Sequence, residues 1–226
     1  TGGPRGQLAV HPAPGQFMLD NAACDLRPNG ISAVDRLLQQ TNAKGFAFQS
    51  INGYLKVPLI YDEAEILEAC RIFEQYLHTL RCLVMESIPA CGLSAEKVKL
   101  SEAKHQVSLV YASAVPVDRS VNTTSDEVQA RFQCDIAEMV LTAQYYGALK
   151  RAAAAQKRKG KIYLMPLGGG VFNNPWAIIA RSIAVAVEML SPEELAKLDI
   201  YVLTFKGDTT ERATMEKLLE EHQKLK

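Results

Sequence analysis

The sequence predicts an α/β fold, a three-layer α/β/α sandwich around a mostly parallel mixed sheet. Three near-continuous apolar runs are typical of buried strands: Val107–Val115, Ile162–Leu167 and Asp199–Phe205. Segments with apolar residues at helical spacing stand between them, and strands that alternate with helices favour crossovers in a parallel sheet. We therefore expect these three strands to share one sheet, with helices on both faces.

Length and composition favour one domain over residues 1–226. The 226 residues are enough for one large core, and 48% of them are hydrophobic while 22% are charged, as in ordinary globular proteins. No linker divides the chain convincingly. Prolines and glycines are frequent near its start and predict an irregular N-terminal arm over residues 1–15.

After this arm, the first half predicts a hairpin and then a helix. Gly45–Ile51 and Tyr54–Tyr61 flank Asn52-Gly53, a dipeptide that favours a tight turn between antiparallel strands. Apolar residues then recur at helical spacing over Asp62–Leu80. Leu83–Met85 is expected to form a short strand before a polar loop.

Four helices are predicted in the second half. The signals are, in order, apolar periodicity, a proline in the first turn, a capping box and an N-cap residue. The helices are a long helix through Phe132 and Tyr146 that stops near Gly160, a helix over Pro175–Leu190, a short helix from Ser191, and a final helix capped by Asp208 or Thr210.

The charge balance and the lack of a long apolar run argue against two classes of partner. Lys plus Arg number 25 and Asp plus Glu number 25, so bulk charge favours neither nucleic acid nor a membrane surface. No uncharged apolar run has the length of a membrane span, so no membrane partner is expected.

The five cysteines are odd in number and form no Cys-x-x-Cys pair, which favours reduced thiols inside a cell. We expect a cytoplasmic protein, or one in an organelle after removal of a targeting segment. His11, His78 and His222 are too far apart for a local metal motif. We therefore expect neither a metal nor a cofactor.

Leu167–Pro175, which we call the glycine loop, is the segment most typical of a binding site. It joins the carboxyl end of a predicted strand to the start of a predicted helix, where open α/β sheets bind ligands. Gly168, Gly169 and Gly170 let backbone N–H groups face an anion without a Cβ in the way. The helix adds unpaired N–H groups and the positive end of its dipole. The alternative is that the glycines only form a tight turn.

The stretch from Gln106 to Leu219 resembles the second half of macrodomains. His105–Pro116 is similar to that family's apolar strand, which ends in a small residue and proline. Met165–Pro175 resembles its Ser-Thr-Gly-x-aromatic-Gly-x-Pro loop, with Asn173 in the place of the second glycine. Leu198–Phe205 looks like its last buried strand.

This resemblance implies a macrodomain-like module that binds ADP-ribose or a related nucleotide diphosphate. Backbone donors from the glycine loop would hold the diphosphate, Phe172 would lie beside the distal ribose, and Phe205 would flank the adenine. In the first half, Asn42 stands in a faint counterpart of the family's Asn-Ala-Ala-Asn stretch, and Asp20 is a candidate for its adenine-reading aspartate. The implied ligand-binding residues are Gly168, Gly169, Gly170, Val171, Phe172, Asn173, Asn42, Asp20 and Phe205.

No residue matches the family's water-positioning groups, so catalytic residues are not assigned and hydrolysis of ADP-ribose linkages stays open. A degenerate macrodomain that serves as a structural or interaction subunit of a larger assembly is the alternative. A basic cluster at the end of the long helix is either a solvated face that complements the helix dipole or a contact for protein or RNA. Its members are Lys150, Arg151, Lys157, Arg158 and Lys159.

Overall fold

The computed structural model describes residues 34–51, 54–89, 106–155, 159–203 and 209–224. They belong to two compact units, one with the described residues between 81 and 112 and one with all the others. Helices and strands are mixed in the chain, as the α/β class requires. The single domain over residues 1–226 stays a prediction, and the arm over residues 1–15 lies outside the described residues.

The smaller unit contains one antiparallel pair, β3 (Leu83–Pro89) and β4 (Gln106–Tyr111). The expected strand over Val107–Val115 therefore ends at Tyr111. The prediction that this strand is buried was wrong for its first residues, because residues 106–108 are exposed and Val107 retains 41% of its accessible surface. The apolar run reflects β-propensity there, and not a position inside a covered parallel sheet.

The larger unit begins with a helix that the sequence interpretation missed, α1 (Asp35–Asn42). Leu37, Leu38 and Thr41 are its buried residues, and this i, i+1, i+4 spacing was a helical signal. It is short and has no side-chain N-cap, so the usual starting signal is absent.

The predicted hairpin and helix follow. β1 (Gln49–Ile51) pairs antiparallel with β2 (Tyr54–Lys56), which confirms the hairpin with shorter strands. α2 (Glu63–Tyr76) confirms the predicted helix, and the Asp62 carboxylate caps it by accepting a hydrogen bond from the Glu65 N–H.

α3 (Glu127–Ala155) is the longest helix and runs through two hydrophobic clusters. Its 29 residues span about 43 Å at the usual helical rise. Phe132 and Ile136 pack in the first cluster with α1, β2 and α2 residues. Tyr145 and Leu149 pack in the second cluster with the last third of the chain.

The last third consists of a strand, a helix, a short helix, a strand and a final helix. These elements are β5 (Gly160–Leu164), α4 (Trp176–Glu188), α5 (Pro192–Leu195), β6 (Leu198–Val202) and α6 (Thr209–Lys224). β5 and β6 pair in parallel, so the predicted crossover is confirmed. The capping box at Ser191 is confirmed too, with Glu194 as its second member.

The strands of the described residues form three two-stranded sheets: β1 with β2, β3 with β4, and β5 with β6. One larger sheet shared by Val107–Val115 and the last two strands was expected, but β4 has β3 as its partner. Within the described residues, no helix has both the length and the apolar character needed to cross a membrane.

Candidate functional site

The glycine loop connects β5 to α4, as the sequence predicted. The side chain of Tyr145 on α3 holds the start of the loop, because its hydroxyl donates to the Met165 carbonyl at 2.7 Å and accepts from the Leu167 N–H at 2.9 Å. Burial raises the pKa of the Tyr145 hydroxyl far above its ordinary range. The hydroxyl therefore stays protonated and can make both hydrogen bonds at once.

Gly168 has a packing role that the sequence did not reveal. Its φ of +85° is a conformation that residues with a Cβ rarely adopt. A Cβ at this position would lie 2.6 Å from the Ala114 Cβ and 2.7 Å from the Asn174 Cγ. Gly168 is therefore required by the fold of the loop, whatever else it does.

Asn174 closes the loop from inside. It is 3% exposed, and its backbone N–H donates to the Gly168 carbonyl at 2.9 Å. Its side-chain Nδ2 donates to the carbonyls of Val115 at 2.8 Å and Phe172 at 3.0 Å. The amide NH₂ group of Asn174 therefore holds the loop against Val115.

A second segment, residues 117–124, borders the loop. The Val117 N–H donates to the Phe172 carbonyl at 2.9 Å, which joins the two segments. Asp118, Ser120 and Asn173 lie close to this junction in sequence, and all three have φ between +47° and +56°. Non-glycine residues in this region are uncommon, and they concentrate at functional sites.

The tip of the loop is open. Val171 is 89% exposed, and an added Cβ at Gly170 would meet no heavy atom within 4 Å. Residues 167–168 form a hydrogen-bonded turn, in which the Pro166 carbonyl accepts from the Gly169 N–H. Among the described residues, no acceptor is found for the backbone N–H groups of residues 170–172, whereas those of Asn173 and Asn174 bond to Gly170 and Gly168. Three successive donors at the tip of the loop, followed by the start of α4, can bind an anion.

Gly169 and Gly170 do not need positive φ angles, because Gly168 and Gly45 are the glycines with such angles in the described part of the chain. An added Cβ at Gly169 would lie 3.0 Å from the Trp176 ring and 3.3 Å from Ile179, so this glycine permits close packing of the loop on α4. Gly170 alone of the three has open space in front of it.

Phe172 lies at the base of the tip, where its half-buried ring packs edge-on against Tyr54 with 5.5 Å between centroids. Asn42 is at the end of α1, and its amide group both donates to and accepts from the backbone of Phe48. This hydrogen-bonded pair holds the chain between α1 and the hairpin. Asp20 and Phe205 lie outside the described residues.

The predicted basic cluster is partly ion-paired. Lys150 contacts Glu194 at 2.5 Å and Lys159 contacts Asp199 at 2.6 Å. In each case the hydrogen bond to the carboxylate raises the pKa of the lysine. Arg151 is exposed on α3, and Lys157 and Arg158 are outside the described residues.

Histidine, cysteine and acidic side chains do not gather into a group that could hold a metal ion anywhere in the described ranges. Comparison of the chain with protein-family models, with curated proteins and with solved structures found no match.

Proposed function

We propose that this chain is a macrodomain-like α/β module that binds ADP-ribose or a related nucleotide diphosphate at the glycine loop. The observation that carries the proposal is the run of three backbone N–H groups, residues 170–172, that have no acceptor among the described residues. They lie between a strand of a parallel pair and the first turn of α4, where an anion gains from both the donors and the helix dipole.

Two further observations support a ligand over a simple turn. Open space at Gly170 lets a phosphate oxygen approach the backbone closely. The neighbouring turn at Asp118 and Ser120 holds two non-glycine residues at positive φ, a conformation that a plain connection does not need. Phe172 and Tyr54 form an aromatic pair beside the tip, on which a ribose or base can pack.

The proposed activity is binding, with slow or absent hydrolysis of ADP-ribose linkages. Hydrolysis would need a polar side chain that positions water at the loop, and Asp35 and Asn42 are the candidates among the described residues of the first half. Asp35 is in the first turn of α1, and the amide of Asn42 is bonded to the Phe48 backbone. Neither has an observed contact with the glycine loop that would let it position water there. Efficient release of ADP-ribose from modified protein by the purified chain would contradict this part of the proposal.

Calorimetric titration of the wild-type chain with ADP-ribose, AMP and inorganic phosphate tests the binding. We expect heat with ADP-ribose, and its loss in Gly170→Val, because the added side chain occupies the space that the phosphate needs. Gly147→Val is the matched control, since an added Cβ at Gly147 on α3 likewise meets nothing within 4 Å. Both variants should melt near the wild-type temperature.

Three titrations without heat from the wild-type chain would refute the ligand site and leave the structural-subunit alternative. Equal loss of binding in Gly170→Val and Gly147→Val would show that the loop is not the site. A ligand at one hundred times its dissociation constant should also stabilise the wild-type chain by about 2.7 kcal/mol in thermal unfolding.

A further inference from the structure

The outer face of the β5–β6 pair carries an exposed row of large side chains. Side chains alternate along each strand, so Ile162, Leu164 and Ile200 pack into the second hydrophobic cluster. The opposite face, which we call the tyrosine face, consists of Lys161, Tyr163, Met165, Asp199, Tyr201 and Leu203. Parallel strands are normally covered on both faces, which makes this exposure unusual.

Two tyrosines form the centre of this face. Tyr163 and Tyr201 are direct partners in the parallel register, and their rings stack with centroids 5.2 Å apart and planes 23° apart. They are 55% and 43% exposed. Lys161 Nζ lies 5.9 Å from the Tyr201 ring centroid, while no described residue places a ring or a cation over the second face of Tyr163.

Positive charge borders the tyrosines. Lys159 directly precedes β5, and Lys161 is the second residue of that strand. Asp199 is the acidic residue on the tyrosine face, and its carboxylate contacts Lys159 Nζ at 2.6 Å. An ammonium group has three donors, so this contact still leaves Lys159 able to bind a phosphate.

We propose that the tyrosine face binds single-stranded nucleic acid, a function separate from the glycine loop. A base stacks on the open face of Tyr163, and Lys159 and Lys161 neutralise the adjoining phosphates. Exposed aromatic side chains on a sheet beside a cationic track provide the two contacts that single strands require, stacking and charge neutralisation.

Other occupants satisfy only part of this surface. A second copy of the chain would bring the Lys159 and Lys161 side chains of both copies toward each other, and like charges oppose such an interface. An acidic peptide would match the lysines but gives the tyrosine rings no base to stack on. The formal net charge of the chain is +0, so binding depends on this local combination and not on bulk charge.

Fluorescence anisotropy of a labelled twelve-nucleotide oligouridine with the full chain tests the proposal. We expect binding at 50 mM salt that weakens at 200 mM, roughly tenfold weaker binding for Tyr163→Ala, and near-normal binding for Tyr163→Phe, which keeps the ring. Lys161→Gln should make the salt dependence shallower by about 0.7 in the logarithmic slope, as for one lost phosphate contact. Tyr61→Ala is the control, because Tyr61 is 58% exposed and lies between β2 and α2, not on β5 or β6.

Four results would overturn the proposal: no binding by the wild-type chain at 50 mM salt, equal binding by wild type and Tyr163→Ala, full competition by polyglutamate, or a dimer in sedimentation that Tyr163→Ala abolishes. Melting temperatures establish that each variant is folded. ADP-ribose titration of Tyr163→Ala should match that of the wild-type chain, so failure at one site is distinguishable from failure at the other.

Discussion

At the residue scale, the three glycines of the loop have three different roles. Gly168 has a left-handed backbone and no room for a Cβ, Gly169 packs against Trp176, and Gly170 faces open space. From the sequence, all three were expected to have the same role, that of letting backbone N–H groups face an anion. The structure separates the glycine that the loop needs for its shape from the one whose open surroundings suit a ligand.

Gly168→Ala should therefore destabilise the chain by about 2–4 kcal/mol, since it adds backbone strain to a steric overlap with Ala114 and Asn174. Urea unfolding measures this loss. Gly170→Ala is the control and should change the free energy of unfolding by less than about 0.5 kcal/mol, as surface substitutions usually do. Similar losses in the two variants would show that the loop does not have the packing described.

At the element scale, α3 binds backbone groups of distant segments through three buried glutamines, Gln129, Gln133 and Gln144. Their spacing of four and then eleven residues places them on one stripe of the helix. Each amide both accepts and donates: Gln129 bonds to Ile60 and Pro58, Gln133 to Asp118 and Asn122, and Gln144 to the N–H and carbonyl of Ser113.

These amides explain why predicted strands end early. The chain around Ser113 and Ile60 has an extended, apolar sequence, and both segments were expected to be strands. Their hydrogen bonds go to glutamine side chains of α3, and not to a neighbouring strand. Buried backbone groups need partners, and a side-chain amide serves as well as a strand.

Gln133→Leu should cost about 2–4 kcal/mol of unfolding free energy, because it leaves the Asp118 N–H and the Asn122 carbonyl without their partner. Chemical denaturation is the measurement. The same substitution at Gln75, which is exposed on α2, is the matched control and should have little effect. If both variants unfold at the same urea concentration, the row of glutamines does not hold the adjoining segments.

At the scale of the whole molecule, half-buried thiols link stability to alkaline pH. Burial, together with the carboxylates of Asp135 and Glu74, raises the pKa of Cys70 from 9.0 to about 11. Burial also raises the pKa of Cys134. A raised pKa in the folded state means that the thiol is protonated there at pH values where the unfolded chain has begun to lose the proton.

The contribution of Cys70 to stability is therefore complete below about pH 9 and is lost as the pH rises toward 11, where the unfolded state gains from ionisation. We expect the free energy of unfolding to fall over this range, and to fall less steeply in Cys70→Ala. Urea unfolding at pH 8, 9, 10 and 11 measures both slopes. Leu67→Ala, on the exposed side of the same helix, is the control and should keep the wild-type slope. Identical slopes for Cys70→Ala and the wild-type chain would contradict the link between Cys70 ionisation and stability.

The sequence by itself determined the hairpin, the helices from α2 onward, the crossover between the last two strands and the position of the glycine loop. Each of these depends on signals within a few residues: the Asn52-Gly53 dipeptide, apolar periodicity, the capping box at Ser191 and the glycines between a strand and a helix. Local periodicity reports which side of a segment is buried, and that is enough to identify most elements.

Only the tertiary structure decided which groups those elements bind. The Asn174 amide holds the Val115 carbonyl 59 positions away, and the Gln144 amide holds Ser113 31 positions away. Nothing near Asn174 in the sequence distinguishes an amide that faces a ligand from one that closes a loop. Hydrogen-bond partners are set by which segments pack together, and that depends on the three-dimensional arrangement of residues distant in sequence.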